Sequence, residues 1–440
     1  MTPLGPTVPP STTTRIWDAA ETLPREELRA LQLERLRATV ARVLAGQRLG
    51  AERLAEAGIA SPNDVDALDD LTRIPFFTKA DLRENYPFGL LAVPREQLVR
   101  LQASSGTHGK PTVVGYTKAD LETWTELMAR SMTMAGVQPG MVIHNANGYG
   151  LFTGGLGFHQ GGERIGATVV PVSGGRTARQ AMLLRDLGAQ VLVATPSYSL
   201  VIAQALADEG VGPADTSLEL GLFGGEPWTD GLRAQIDRAL GIKAVNFYGL
   251  SEMCGPGVAT ECLTARDGLH VNEDHFIVEV IDPEDGRPVD AGEVGELVFT
   301  SLTKEALPLI RYRTGDLGAV SEHPCSCGRT SARLIQLGGR RDDMMIIRGV
   351  NLYPSHVEQI LTSVDGVAPH WQLILERPGP MDELTLQCEP AAGADAQELR
   401  GRLEELLKEA TGVRIAVSVL EAGAVPRSEG KAVRVVDRRG

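Results

Sequence analysis

The sequence predicts an α/β protein with a large N-terminal domain of mainly parallel sheets, a β-rich subdomain within it, and a small α+β C-terminal domain. Three observations carry this reading. From Val99 to Gly338 short apolar runs alternate with helical patterns, the rhythm of βαβ units on a parallel sheet. Within that region His275–Ile281 and Val294–Leu302 read as antiparallel strands around the turn Asp282-Pro283-Glu284-Asp285-Gly286. Glycine and charge then concentrate at Gly338-Gly339-Arg340-Arg341-Asp342-Asp343, between two apolar stretches, where a boundary is expected. The predicted organisation is a disordered Pro/Thr-rich lead-in over 1–14, an N-terminal domain over 15–339 and a C-terminal domain over 340–440.

Taken in order, Trp17 to about Gly58 reads as helix, with Leu28, Leu31, Leu33 and Leu36 at helical spacing. Ala67–Asn85 is turn-rich. Val142-Ile143, residues 168–172, 191–194 and 220–223 read as buried strands, with helices over Arg176–Leu187 and Ser197–Glu209 between them. Beyond the boundary come a strand (344–347), a helix (354–364), strands (372–375 and 383–388), a helix (396–410) and a last strand (414–419). A chain of 440 residues exceeds what one core usually serves, so more than one domain is expected.

Composition narrows the function. Hydrophobic content of 42% and charged content of 23% are ordinary for a globular protein. A net charge of −14 argues against a nucleic-acid partner, which would call for a basic face. No apolar run approaches a membrane span, and the first residues carry no apolar leader, so a cytoplasmic protein is expected. The five cysteines (254, 262, 325, 327 and 388) are an odd number and do not suggest a disulfide framework.

The segment Ala103-Ser-Ser-Gly-Thr-His-Gly-Lys-Pro-Thr112 packs hydroxyls, glycines and a lysine after an apolar-alternating run. Backbone N–H groups reach an anion where glycine leaves no side chain in the way, and Lys110 adds charge. It is not a P-loop, since only Thr107 and His108 separate Gly106 from Gly109. Downstream stand Gly224-Gly225-Glu226-Pro227, Tyr248-Gly249-Leu250-Ser251-Glu252, Tyr312-Arg313-Thr314-Gly315-Asp316, Gly339-Arg340-Arg341-Asp342 and Gly430-Lys431. In this order the set resembles the adenylate-forming superfamily of acyl-CoA synthetases, adenylation domains and luciferases. Asn85-Tyr-Pro-Phe-Gly, Tyr149-Gly-Leu-Phe-Thr-Gly-Gly and Ile347-Arg-Gly-Val-Asn-Leu-Tyr-Pro bring it closest to phenylacetate–coenzyme A ligases and their aryl-acid relatives, from about Trp17 to Asp437.

The resemblance implies two steps. An aromatic carboxylate attacks the α-phosphate of ATP, and coenzyme A then displaces AMP from the acyl-adenylate, with the C-terminal domain turning between them. A stand-alone enzyme loading a carrier-protein phosphopantetheine arm would use the same residues for the first step. A non-catalytic nucleotide-binding protein of this fold is the more distant alternative. By the same resemblance Ser104, Ser105, Gly106, Thr107, Gly109 and Lys110 hold the phosphates. Gly225, Glu226 and Pro227 line the adenine pocket, Tyr248 stacks on adenine, and Gly249 and Arg340 complete the ATP site. Asp316 accepts the ribose hydroxyls, Glu252 holds Mg2+, Asp342 is the hinge, and Lys431 enters for adenylation. Tyr149, Phe152, Gly154, Gly225 and Gly249 are expected around the acyl group.

Three positions depart from the family pattern. Asn147 stands where tyrosine is usual and Gly225 where alanine is usual; both remove bulk, and Asn147 adds a donor and an acceptor. They suggest a hydroxy- or amino-substituted acid, or a larger one than phenylacetate, unless Asn147 bonds only to backbone. His108 replaces the usual threonine. Separately, Cys262, His270, Cys325 and Cys327 form a candidate Cys3His zinc set, although Cys-x-Cys pairs also occur as free thiols. A homodimer is compatible with all of this.

Overall fold

The computed structural model describes residues 15–104, 111–347, 350–378, 382–427 and 431–439. The expected lead-in, Ser105, Gly106, Thr107, His108, Gly109 and Lys110, and Gly430 lie outside the described residues.

The N-terminal stretch expected as one helix is three pieces. Asp18 caps a 3-10 turn (Ala19–Thr22), Pro24 precedes α1 (Arg25–Gly46), and α2 (Arg48–Glu56) follows a break at Gln47. The break has a tertiary cause. Gln47 is extended, and its buried side-chain amide donates to the carbonyls of Leu90 (2.7 Å) and Pro308 (2.9 Å). Gly46 permits the approach, because a Cβ there would stand 2.1 Å from the Ala92 oxygen. Two distant carbonyls that need a donor thus outweigh helical continuity.

After the short α3 (Lys79–Glu84), β1 (Arg100–Ser104) and β2 (Thr112–Tyr116) form an antiparallel hairpin with Ser104 opposite Thr112. Thr117 then caps α4 (Lys118–Met134). The predicted βαβ series follows as β3 (Val142–Asn145), α5 (Thr153–Ile165), β4 (Thr168–Pro171), α6 (Thr177–Asp186), β5 (Val191–Ala194), α7 (Pro196–Asp208), β6 (Leu220–Gly224), α8 (Asp230–Leu240) and β7 (Lys243–Leu250). Strands β4, β3, β5, β6 and β7 lie side by side in that order, all parallel. All four residues of β5 are buried, as expected of a strand covered on both faces.

The same sheet continues with opposite pairing. It adds β8 (Gly255–Glu261), β9 (Leu269–Val271), β10 (Phe276–Ile281), β11 (Gly295–Ser301), β12 (Tyr312–Ser321) and β13 (Arg333–Arg340). From β7 the order is β8, β9, β13, β12, β11, β10, each pair antiparallel. The parallel region and the β-rich region are therefore one eleven-stranded sheet among the described residues, with β7 as the seam.

The C-terminal part holds the hairpin β14 (Met345–Ile347) and β15 (Val350–Leu352), then α9 (Pro354–Thr362), β16 (Val367–Glu376), β17 (Glu383–Pro390), α10 (Ala396–Thr411), β18 (Ala416–Val419) and β19 (Val435–Asp437). The short β19 was not expected; it adds parallel to β16 at the end of the chain. Leu399, Leu403 and Leu407 place one face of α10 on this core, each fully buried leucine contributing about 1.5–3 kcal/mol. No helix among the described residues is long and apolar enough to cross a membrane.

Gln47→Leu should lower the unfolding free energy by roughly 2 kcal/mol or more, seen as a lower urea midpoint, since two buried carbonyls lose their donor at ~1–3 kcal/mol each. An unchanged midpoint would show that these bonds do not hold the break.

Candidate active site

In an open α/β sheet, ligands bind beyond the carboxyl ends of the parallel strands. Four such ends gather here, three of them carrying residues singled out in the sequence. β3 leads to Asn147 and Tyr149, β5 to the start of α7, β6 to Gly225–Glu226–Pro227, and β7 to Tyr248–Gly249 and Glu252. The turn after β7 is tight. A Cβ on Gly249 would stand 2.0 Å from the Gly255 oxygen, and Gly255 itself has φ +109°.

Tyr248 donates its hydroxyl to Asp316 (2.7 Å), and Arg340 donates to the other oxygen of that carboxylate (2.6 Å) and to the Thr314 carbonyl (3.2 Å). The Tyr248 ring stacks on Phe299 at 5.9 Å, so its position is set from two sides. Burial and the neighbouring Asp316 raise the Tyr248 hydroxyl well above its ordinary pKa, keeping it a donor. Burial also raises Glu252, while Lys79 and Arg340 pull it back. Ser104 Oγ and Thr112 Oγ1, at the root of the glycine-rich loop, are buried and find no hydrogen-bond partner among the described residues. Hydroxyls left as spare donors there suit an anion.

On the acyl side, Asn145 donates to the Tyr149 hydroxyl and to the Gly155 carbonyl, both at 2.8 Å, and accepts from the Asn147 N–H (3.2 Å). His159 Nδ1 lies 3.1 Å from the Tyr149 oxygen, and its Nε2 is 3.0 Å from Glu163. Burial pushes the Tyr149 hydroxyl up to about 12. Gly154 faces Asn147, whose side chain would lie 3.6 Å from a Cβ there. Thr153 Oγ1, 3.5 Å from Ser251 Oγ, ties the start of α5 to the end of β7. Phe152 is 52% exposed, so it is not a buried wall in this arrangement. A Cβ on Gly225 would meet only Thr195 Cγ2, at 3.9 Å, but its φ is +84°, so the glycine serves the backbone path as well as reducing bulk.

The C-terminal part closes on this edge. Glu226 accepts from the Ser197 N–H (2.6 Å) and from the Ala432 N–H (2.8 Å), which brings the exposed Lys431 beside the β6 end. Glu358 on α9 accepts from the Thr229 N–H (3.2 Å) and lies 3.5 Å from Arg434. Gly231 lets α8 and α9 meet, since a Cβ there would stand 2.1 Å from Thr362 Oγ1. Asp342 sits in the 3-10 turn Arg341–Asp343 between β13 and β14; its side chain lies outside the described atoms.

The four candidate metal ligands do meet. Cys262 follows β8, His270 is on β9, and Cys325 and Cys327 are in the loop before β13. Their ligand atoms all lie within 4.8 Å of one another. The Cys262–Cys325 sulfurs are 3.7 Å apart, and Cys327 Sγ is 3.4 Å from His270 Nε2. A tetrahedron around zinc has edges of about 3.7 Å between thiolates and about 3.5 Å from thiolate to imidazole. His270 Nδ1 bonds to Ser331 (3.0 Å), which leaves Nε2 for the cluster. Sharing a hydrogen bond with Cys262, and beside His270, the Cys327 thiol is held well below its ordinary pKa, while Cys262 is pushed up.

Several residues at the site gave no signal of their own in the sequence: Asn145, His159, Ser331, Glu358 and Arg434. A histidine and a glutamate four apart, at 159 and 163, were the nearest thing to a sign.

These features define an adenylate-forming enzyme. The AMP-binding enzyme family matches residues 20–303, and the AMP-binding enzyme C-terminal domain matches 349–439. The phenylacetate–coenzyme A ligase of Thermus thermophilus is 51% identical over 95% of this chain and 98% of its own, and that of Escherichia coli 46% identical over 96% and 97%. The chain belongs to the AMP-binding enzyme family, among the phenylacetate–coenzyme A ligases. Among solved structures, 2-hydroxyisobutyryl-CoA ligase in the postadenylation state with 2-HIB-AMP matches at a TM-score of 0.90 and 30% identity, over 96% of this chain and 91% of that one. The same ligase with 2-HIB-AMP and CoA in the thioesterification state, at the same identity and coverage, matches at 0.72.

Burial pushes Glu358 up to about 7; Arg434 pulls it down and Glu226 adds to the rise. A carboxyl raised in the folded chain carries its full contribution below its unfolded pKa and loses it as pH climbs toward 7. Gln at this position still accepts the Thr229 N–H. Glu358→Gln should therefore raise Tm at pH 8, by roughly 2–4 °C for each ~1 kcal/mol recovered, with the gain vanishing toward pH 4.5. A gain independent of pH would contradict the assignment.

Proposed function

We propose that this protein is an ATP-dependent aryl-acid–coenzyme A ligase. An aromatic carboxylate displaces pyrophosphate from the α-phosphate of ATP, forming an acyl-adenylate. The thiol of coenzyme A then attacks the acyl carbon, a thioester forms, and AMP leaves. The observation that carries this reading is the meeting, at one edge of the sheet, of the Tyr248–Asp316–Arg340 cluster, the buried Glu252 and the segment bearing Lys431. Relatives named as coenzyme A ligases, alike over nearly the whole chain, support free coenzyme A as the acceptor.

Each residue has a physical task. Asp316, acceptor-only when ionised, takes the two ribose hydroxyls, with Arg340 and Tyr248 fixing its carboxylate. Tyr248 keeps one ring face for adenine. Ser104, Ser105, Gly106, Thr107, Gly109 and Lys110 surround the β- and γ-phosphates. Lys431 places an ammonium where negative charge gathers between acid and α-phosphate, and so lowers that barrier. Asp342 provides the turn about which the C-terminal part moves. Glu252 would hold Mg2+, whose preference for hard oxygen suits a carboxylate, and which supplies charge neutralisation when bound. Tyr149, its hydroxyl spanned by Asn145 and His159, walls the acyl pocket. The reduced bulk at Asn147 and Gly225 favours a hydroxy- or amino-substituted ring or a larger acid.

Cys262, His270, Cys325 and Cys327 would hold a structural zinc. The sulfur–sulfur and sulfur–nitrogen spacings suit tetrahedral coordination, and the ion would staple the loop before β13 to the ends of β8 and β9.

Pyrophosphate exchange should depend on an aryl acid when phenylacetate, benzoates and their hydroxy and amino derivatives are screened, and aryl-CoA should form on adding coenzyme A. Lys431→Ala should cut exchange by roughly 10²-fold or more and leave thioester formation from supplied acyl-adenylate intact. Exchange that ignores every aryl acid would overturn the reading. Elemental analysis of folded protein should give about one zinc per chain, and chelation should lower Tm; a well-folded, zinc-free preparation would remove the metal from the account.

A further inference from the structure

Glu226 sits in the segment expected against adenine, yet its carboxylate is occupied by two backbone donors. One oxygen accepts the Ser197 N–H at the start of α7; the other accepts the N–H of Ala432, 206 residues further along the chain. Ala432 directly follows Lys431. Fixing the N–H of Ala432 therefore fixes the Lys431–Ala432 peptide plane, because that N–H belongs to it. The lysine's stem then starts from a defined point above the β6 end.

We propose that Glu226 is the positioning residue for Lys431, clasping the Lys431–Ala432 peptide to the parallel-strand edge in the arrangement that adenylates the acid. The inference rests on the reading of Lys431 given above. The residue type suits the task. An ionised carboxylate accepts at both oxygens, and such charge-assisted bonds are stronger than neutral ones. A glutamine in the same place would turn one acceptor into a donor facing an N–H. Neighbouring bonds hold the same joint: Glu358 accepts the Thr229 N–H, and Arg434, stacked 4.3 Å over Trp371, lies beside Glu358. A cavity of about 180 Å3 lies between the start of α7 (Ser197, Val201) and Ala432–Arg434, so close packing does not hold the segment there by itself. The chain's arrangement is nearer to the postadenylation state of 2-hydroxyisobutyryl-CoA ligase than to its thioesterification state. Movement of the C-terminal part about the turn at Asp342 requires this clasp to open, so Glu226 acts on the first step and not the second.

The test compares wild type, Glu226→Ala and Glu226→Gln in the two half-reactions and by amide hydrogen exchange. Loss of a charge-assisted clasp should lower the kcat of aryl-acid-dependent pyrophosphate exchange roughly 10- to 100-fold in Glu226→Ala, with KM for ATP changed by less than about 3-fold. Thioester formation from supplied acyl-adenylate and coenzyme A should stay within about 2-fold of wild type. The peptide containing Ala432 should exchange faster in the variant, while peptides of β5 and β6 do not. Glu226→Gln, which preserves size, should shift the same readouts in the same direction and covers the case in which the alanine variant misfolds. A rise in KM for ATP with both half-reactions impaired would make Glu226 an adenine contact and overturn the proposal. So would unchanged exchange at Ala432. Wild type that lacks aryl-acid-dependent exchange altogether would defeat the ligase reading instead, and the Ala432 protection would still report on the clasp.

Discussion

Strand β7 pairs parallel with β6 along one edge and antiparallel with β8 along the other. Everything at the candidate site depends on this double pairing. The parallel side points the ends of β3, β5, β6 and β7 in one direction, so their following loops share an edge. The antiparallel side brings β12 and β13 round to the same edge, carrying Asp316 and Arg340 to Tyr248. The irregularity between Tyr248 and Gly249, where the register shifts, marks the seam at the point where the chain leaves the sheet toward Glu252.

The site is assembled from groups that are costly to bury singly. Asp316, Arg340 and Tyr248 satisfy one another, and Glu226 takes two backbone N–H groups. Glu358 is the contrasting case. At 3.5 Å its pairing with Arg434 leaves both groups shifted toward their neutral forms by burial, so the attraction does not repay their desolvation. A joint held by a small number of polar bonds, without a continuous apolar seam at Ser197 and Ala432, is one that can open during a catalytic cycle.

Much of this was legible in the chain. The runs at 191–194 and 220–223 are strands because apolar β-formers there have no polar face to offer and a covered parallel sheet accepts them, while 142–143 and 168–172 extend that sheet to its partly exposed edge at β4. The motifs around Tyr248, Asp316 and Lys431 were readable because their order and spacing are specific. The Cys262–His270–Cys325–Cys327 set was readable from residue type, and the ligand atoms do converge. What misled was local periodicity. Leu28 to Leu36 is helical in pattern and does lie in α1, but the pattern hides the break at Gln47, where Gly46 is the local sign and the cause is two carbonyls at Leu90 and Pro308.

The sequence by itself determined the α/β class, the run of apolar strands alternating with helices, and that the chain is an adenylate-forming enzyme. Short-range pattern and motif chemistry suffice for that. Only the tertiary structure decided that the parallel and antiparallel regions are a single sheet, and that Tyr248 and Arg340 share Asp316. It alone decided that the Glu226 carboxylate turns to Ser197 and Ala432. Those outcomes depend on hydrogen bonds between residues tens to hundreds of positions apart, and no local pattern in the chain encodes which distant N–H group a half-buried carboxylate will find.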